Sequence, residues 1–338
     1  MPPRAEDRHN QFGIVRLALA SLVIFSHSPP LTLPLARHFE PLEWLTGTTS
    51  FGDLAVDFFF VISGYLVSQS MARSRSIWSY LEKRVRRIFP GFLVAVGLSL
   101  LLAFATGGRL VGTWPHLLLT ALTLGQPVDV TAFAGNSYQI ANGSLWTIRL
   151  EFLCYLLPIA AMLTGVLDRP RVLLAGALLL LAVSVLVGPP QSGPYSFLHN
   201  SSRLSGTFLA GMFFRVAAVN RFDGRAALGL LLVACASLFA WHTAGFGIAL
   251  AGGYALLWLC LMPGRSRLAA IGRRTDVSYG VYLYGWPVQS LVVWLLPGIG
   301  WGYVFAIAAA VAIALGWVSW TMVEAPLLRW RTGKRIAT

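Results

Sequence analysis

Apolar runs of membrane-spanning length recur along the whole chain, separated by short polar, basic or glycine- and proline-rich stretches. A helix rising about 1.5 Å per residue needs roughly 20 apolar residues to cross a hydrocarbon core about 30 Å thick. Ten runs meet that measure, near residues 12–28, 51–70, 87–106, 145–166, 171–188, 203–219, 225–242, 245–262, 278–296 and 300–324. The predicted fold class is therefore all-α, a polytopic integral membrane protein of about ten transmembrane helices. The longest interruption, 107–144, contains an apolar stretch from Trp114 to Leu124 that predicts a short helix at the outer surface. The Arg-rich segment 73–87 predicts an amphipathic helix running into the third span, with Pro90 in the first turn of that span. No loop is long enough for a separate soluble domain, so residues 1–338 read as one transmembrane domain with no soluble domain appended.

Composition agrees with that pattern. The chain has 338 residues, 56% hydrophobic and 12% charged, where soluble domains average about 25% charged. A net charge of +13 raises the question of nucleic acid, but the basic residues are dispersed between apolar runs rather than gathered on one soluble face, which excludes it. Cys154, Cys235 and Cys260 sit within apolar stretches and read as small buried hydrophobes, without disulfide or metal-ligand spacing. The first apolar run contains Arg16 and is not followed by a small-residue cleavage site, so it reads as a span rather than a cleaved signal.

The charges carry topology. Of the 26 Lys and Arg, 21 fall before span one or after spans two, four, six, eight and ten. The alternate loops hold only Arg37 and Arg109, with Arg203 at a span edge; Arg16 and Arg149 fall inside spans. Basic residues in short loops favour the cytoplasm. Both termini are thus expected to be cytoplasmic.

Several polar residues are left over. Arg16 and His27 lie eleven positions apart on the first span, about three turns plus ~20°, hence on one face and roughly 16 Å apart. Ionisable groups in a span are costly and mark function by default. Asp57 precedes Phe58, Phe59 and Phe60 and needs a partner, a proton or water; Arg16, His27 and Arg149 are the candidates. Such a pair either fixes helix packing or lines a polar cavity. Ser63 and Gly64 allow close approach of a helix or ligand. Arg84 and Arg87 are placed to hold phosphate, or simply to set topology and touch lipid headgroups. Glu151 and Tyr155, four apart, are expected to share a helix face that Arg149 does not, and Trp146 suits a membrane interface.

In order, these blocks resemble the acyltransferase 3 family of polytopic membrane acyltransferases. The resemblance runs through Arg16-x10-His27, Asp57 to Gly64, Arg84, Arg87 and Pro90, Ser144 to Tyr155, Ser278 to Leu283, and Glu324-x-Pro326. Many relatives carry a histidine shortly after the Tyr-Leu of the fifth block, where this chain has Tyr284, Gly285 and Trp286. That leaves His27 as the imidazole expected to act within a span.

The resemblance implies transfer of an acyl group, most often acetyl, from acyl-CoA to a sugar hydroxyl of a cell-surface glycan or glycolipid, in the bacterial inner membrane. Acyl-CoA is then a substrate and no bound cofactor or metal is implied; the partners are the donor, the glycan or lipid-linked acceptor and membrane lipids. A sugar hydroxyl needs a base near neutral pKa, a role that falls to His27 as base or as nucleophile. Arg16, Arg84, Arg87 and Ser63 are expected at the donor, Asp57 or Glu151 beside His27, and Trp146 and Tyr155 at the acceptor. A transporter or glycolipid flippase is the rival, since buried ion pairs and glycine-rich spans suit it equally.

Overall fold

The computed structural model describes residues 10–33, 40–189, 194–217, 223–263 and 275–329. Arg4, Arg8, His9, Arg37, His38, Arg221, Arg265, Arg267, Arg273, Arg274, Arg331, Lys334 and Arg335, which the charge pattern uses in part, lie outside them. Among the described residues all regular structure is helical, apart from two isolated antiparallel bridges, Leu110 with Val130 and Thr131 with Ile140. In chain order the helices are α1 Phe12–Thr32, α2 Pro41–Thr46, α3 Phe51–Ala72, α4 Ile77–Ala105, α5 Trp114–Leu122, α6 Trp146–Cys154, α7 Leu157–Leu163, α8 Pro170–Val187, α9 Pro194–Val216, α10 Gly224–Ser237, α11 Trp241–Phe246, α12 Gly253–Leu261, α13 Ser278–Leu295, α14 Trp301–Ser319 and α15 Ala325–Arg329. π-Helical segments, Gly247–Gly252 and Trp320–Glu324, join α11 to α12 and α14 to α15.

The apolar runs read from the sequence fall largely on helix, with breaks at 155–156 and 238–240, and seven stretches among the described residues, against the ten expected, are long and apolar enough to cross a membrane: Phe12–Thr32, Phe51–Ala72, Ile77–Ala105, Gly143–Leu163, Pro170–Val187, Trp241–Leu261 and Trp301–Leu328. Their outward faces are apolar; Leu101, Leu179, Leu186 and Met322 are all largely exposed. A surface of that kind is unfavourable in water and favourable against lipid. The chain is an integral membrane protein.

Some expectations change. Helix α4 runs unbroken through Pro90, which stands in its interior rather than its first turn. The 145–166 run is interrupted at Tyr155 and Leu156, because Pro158 has no N–H for the carbonyl of Cys154 and its ring crowds that carbonyl. Glu151 and Tyr155 therefore do not continue one helix face. Cys235 is exposed on α10, while Cys154 and Cys260 are buried as expected. The surface helix foreseen at Trp114 is present, with the Thr113 hydroxyl accepting from the His116 N–H at its start.

The contacts divide the chain into two compact units, each drawn from three stretches. Unit one comprises 1–15, 41–80 and 153–270. In it α3 lies directly on α9: a Cβ placed at Gly64 would collide with the carbonyl of Phe208, so only glycine permits that approach. Unit two comprises 16–40, 81–152 and 271–338. Its centre is α13, buried from Ser278 to Ser290. Pro287 within α13 frees the carbonyl of Leu283, and the Asn142 side chain donates to it at 2.9 Å. The same asparagine caps the 3₁₀ turn Gly143–Leu145 that leads into α6.

Candidate functional site

In unit two, α1 and α13 run side by side in the same direction. Arg16 meets Asp276 just ahead of α13, Ile24 lies where a Cβ on Gly285 would be 2.8 Å away, and Gln289 Nε2 donates to the Ile24 carbonyl and the Ser28 hydroxyl, each at 2.7 Å. His27 lies in this contact, half-buried, its ring edge-on to Trp286 with centroids 5.0 Å apart and planes at 79°. The Trp286 Nε1–H donates to the Ile140 carbonyl at 3.3 Å. On the same turn of α1 the Ser26 hydroxyl donates to the buried Glu40 carboxylate at 2.9 Å. A carboxylate is therefore held on the turn that carries His27.

About three turns away, toward the start of α1, charges gather. Asp276 Oδ2 accepts from Arg16 Nη1 at 2.7 Å and from Arg87 Nη2 at 2.6 Å, while Arg87 Nη1 reaches Glu324 Oε2 at 3.2 Å. Ser278 and Ser319 hydroxyls donate to the remaining oxygens of the two carboxylates. The Arg87 guanidinium also lies over the rings of Tyr279 and Trp320. Burial alone would raise the Asp276 pKa, but the Arg16 and Arg87 guanidinia overcome it and hold it at about 2. Two arginines thus face two carboxylates, and Arg16 is engaged by protein rather than being an isolated cation.

Asp57 is paired differently from the expectation. Its partner is Arg203, not Arg16, His27 or Arg149: Arg203 Nη1 lies 2.8 Å from Asp57 Oδ2 and Nη2 lies 3.0 Å from Asp53 Oδ1. The expected partner Arg149 is exposed and donates to the carbonyl and hydroxyl of Thr123. The Asp57–Arg203 pair lines a cavity of about 60 Å³ inside unit one, with Asp53, Thr48, His199 and Trp241. His199 Nδ1–H donates to the Ser184 carbonyl at 2.9 Å, and its ring stacks on Trp241.

The other sequence candidates are scattered. Arg84 is half-buried on α4, Ser63 half-buried on α3 beside Gly64, and Glu151 and Trp146 half-buried on α6. Tyr155 is buried, its carbonyl accepting from the Tyr80 hydroxyl and its ring against Phe208. That is a packing environment. Among the described residues no group of three or more His, Cys, Asp or Glu gathers as metal ligands would.

Asp276, Glu40, Arg203, His199 and Trp241 were not singled out from sequence as site residues. Arg203 carried a usable signal, since it stands at the span ends where basic residues are otherwise nearly absent. Asp276 and Glu40 carried none, lying outside the apolar runs where no cost marks a carboxylate.

Comparison with known proteins agrees with the ordered motifs. The family model described as an acyltransferase domain matches residues 10–321. An O-acetyl transferase of Shigella phage Sf6 is 28% identical, covering 94% of this chain and 95% of its own. Nodulation protein 10 of Rhizobium leguminosarum bv. viciae is 30% identical over 97% and 95%, and the succinoglycan biosynthesis protein ExoH of Rhizobium meliloti 27% over 97% and 94%. No solved structure matches the chain. With the match running through both units and taking in His27, Arg87 and all but the last residues of the charged cluster, this chain belongs to the acyltransferase 3 family of membrane proteins.

Proposed function

We propose that the protein is an O-acyltransferase that moves an acetyl group from acetyl-CoA to a sugar hydroxyl of a cell-surface glycan or glycolipid. All ten helical runs cross the bacterial inner membrane with both termini cytoplasmic, and the two units form one catalytic domain over 1–338. The observation that carries this reading is helix α1, which bears His27 on the same face as the tethered Arg16, roughly 16 Å apart. A long extended donor suits that separation, with its phosphates on Arg84 and Arg87 at the cytoplasmic end and its thioester toward His27. Arg16, steadied by Asp276, borders the path of the pantetheine arm.

His27 takes the proton of the sugar hydroxyl as its oxygen attacks the thioester carbonyl. The tetrahedral intermediate collapses, the C–S bond breaks, and the departing CoA sulfur receives the proton from the imidazolium. Glu40, bonded to Ser26 on the turn that carries His27, stabilises that imidazolium in the role expected of Asp57 or Glu151. The phage relative's description as an O-acetyl transferase supports the acetyl donor, and the succinoglycan relative supports a polysaccharide acceptor.

The test is purified full-length protein in detergent, supplied with labelled acetyl-CoA and a de-O-acetylated polysaccharide from the producing cells. Acceptor-dependent label transfer and CoA thiol release are expected, with His27→Ala lowering the rate by at least about 10³-fold. Undiminished transfer by His27→Ala would overturn the mechanism. Transport without any transfer would favour a flippase.

A further inference from the structure

We infer that the cavity in unit one is an outward-facing sugar subsite, holding one residue of the acceptor glycan. The inference rests on the O-acyltransferase reading for the word acceptor, but the cavity itself is argued from its own chemistry.

Its walls come from the loop before α3 (Thr48, Thr49), the start of α3 (Asp53, Asp57), the end of α8 (Ser184), the start of α9 (His199, Arg203) and the start of α11 (Trp241). In the alternation of spans read from the charges, all of these are outer ends. The Arg215–Asp168 ion pair, 2.7 Å, ties the end of α9 to the loop before α8 at the opposite, basic end of the same unit. The cavity is therefore on the side where a surface glycan is and acyl-CoA is not.

Three polar atoms of the lining residues, Asp57 Oδ1, Arg203 Nε and Trp241 Nε1, are buried without a hydrogen-bond partner. Asp57 is 1% and Arg203 9% exposed. A buried polar atom left unsatisfied costs about 1–3 kcal/mol, so a ligand hydroxyl that reaches these two donors and one acceptor gains by bonding to them. Two carboxylates against one guanidinium leave the cavity poor for phosphate. Ala244, Ile248 and the indole supply apolar wall. Acceptors, donors and apolar wall together match a neutral polyol, whose hydroxyls each donate and accept and whose C–H edges are apolar. At about 60 Å³, against roughly 10–15 Å³ for one water by the same kind of measure, the space takes one edge of a pyranose. The π-helical segment Gly247–Gly252, which sets Ile248 into the wall, is of a type often found at functional sites.

The experiment uses full-length protein in detergent and the methyl glycosides of glucose, galactose, rhamnose and N-acetylglucosamine at millimolar concentration. Saturation-transfer NMR reads binding, and acetyl transfer to polysaccharide reads KM and kcat. Trp241→Phe keeps an aromatic ring against His199 and removes the N–H with the five-membered ring that bears it; Asp53→Asn changes a half-exposed carboxylate and decides the matter if the first variant does not fold. At least one glycoside is expected to give saturation transfer that both variants abolish, and the acceptor KM is expected to rise roughly tenfold with kcat held, the worth of one hydrogen bond. Wild-type protein that binds no glycoside, or variants with unchanged saturation transfer and acceptor KM, would overturn the subsite while leaving acyl transfer standing. Glycoside binding lost in the variants of a protein that transfers no acetyl would keep the subsite and remove the enzymatic reading.

Discussion

The imidazole of His27 and the indole of Trp286 meet edge to face, 5.0 Å between centroids, on two helices that run side by side in the same direction. The indole is itself fixed, by its N–H bond to Ile140 and by Gly143, where a Cβ would come within 2.6 Å of the ring. Trp286 therefore limits how His27 can turn. Trp286→Ala is expected to lower kcat roughly tenfold, since an aromatic pair is worth about 0.5–1.5 kcal/mol, with the KM for acetyl-CoA unchanged. Trp286→Phe is expected to keep most of the rate. Steady-state kinetics on the two variants check this, and equal loss in both would remove the orienting role.

Asp276 links acidity to stability. Its pKa is held near 2 in the folded protein against an ordinary 3.8, so the unfolded chain binds its proton more readily. The stabilisation is fully present above about pH 4 and is lost as pH falls toward 2. Its ceiling is about 2 kcal/mol, reduced because the side chain is partly exposed. Asp276→Asn is expected to lower the melting temperature in detergent at pH 7, with the gap to wild type roughly halved by pH 3. A gap constant over that range would show that the charge is not what matters.

Arg87 uses separate nitrogens for Asp276 and for Glu324, which is 1% exposed. Lysine has one ammonium on a flexible stem and cannot hold both carboxylates in this geometry. Arg87→Lys is expected to cost roughly 2–3 kcal/mol, one charge-assisted hydrogen bond left unmade. Thermal unfolding in detergent measures it.

The helices were legible because the membrane imposes a length and an apolar surface, and the runs from 12–28 to 300–324 fall largely on helix, seven stretches being of spanning length among the described residues. His27 and Arg16 stood out because ionisable groups within an apolar run are expensive. The carboxylates bonded to α1 did not stand out. Asp276 lies just before α13 and Glu40 just before α2, where a carboxylate costs nothing in sequence terms and only the packing of distant segments brings it to α1. Asp57 was recognised, but its partner lies 146 positions away, a separation that periodicity cannot bridge. Pro90 and Pro158 show a related limit: each frees a carbonyl, yet α4 continues through Pro90 while the 145–166 run breaks ahead of Pro158, so proline alone does not say whether a helix continues.

Gly64 tests packing apart from chemistry. A methyl there meets the Phe208 carbonyl, which as backbone cannot rotate away, whereas at Gly97 an added Cβ meets nothing within 4 Å. Gly64→Ala is expected to destabilise by roughly 1–3 kcal/mol or more, and Gly97→Ala to be neutral or stabilising by up to about 1 kcal/mol. Melting temperatures of the two purified variants give the comparison, and equal behaviour would mean that α3 and α9 are less closely packed.

Glu40 is the last group whose role can be separated by experiment. Its carboxylate is buried and bonded to Ser26 on the turn of α1 that carries His27, so its removal can act on structure, on the imidazolium, or on both. Glu40→Gln keeps the size and can still accept from Ser26, while removing the charge. If the charge stabilises the imidazolium formed as the hydroxyl proton leaves, kcat falls 10- to 100-fold, both KM values hold, and the melting temperature changes little. Glu40→Asp, which restores the charge on a shorter stem, is expected to recover part of kcat. A fall in melting temperature with kcat intact would instead make Glu40 a tether for the start of α2, and His27 would then act without a carboxylate from this position.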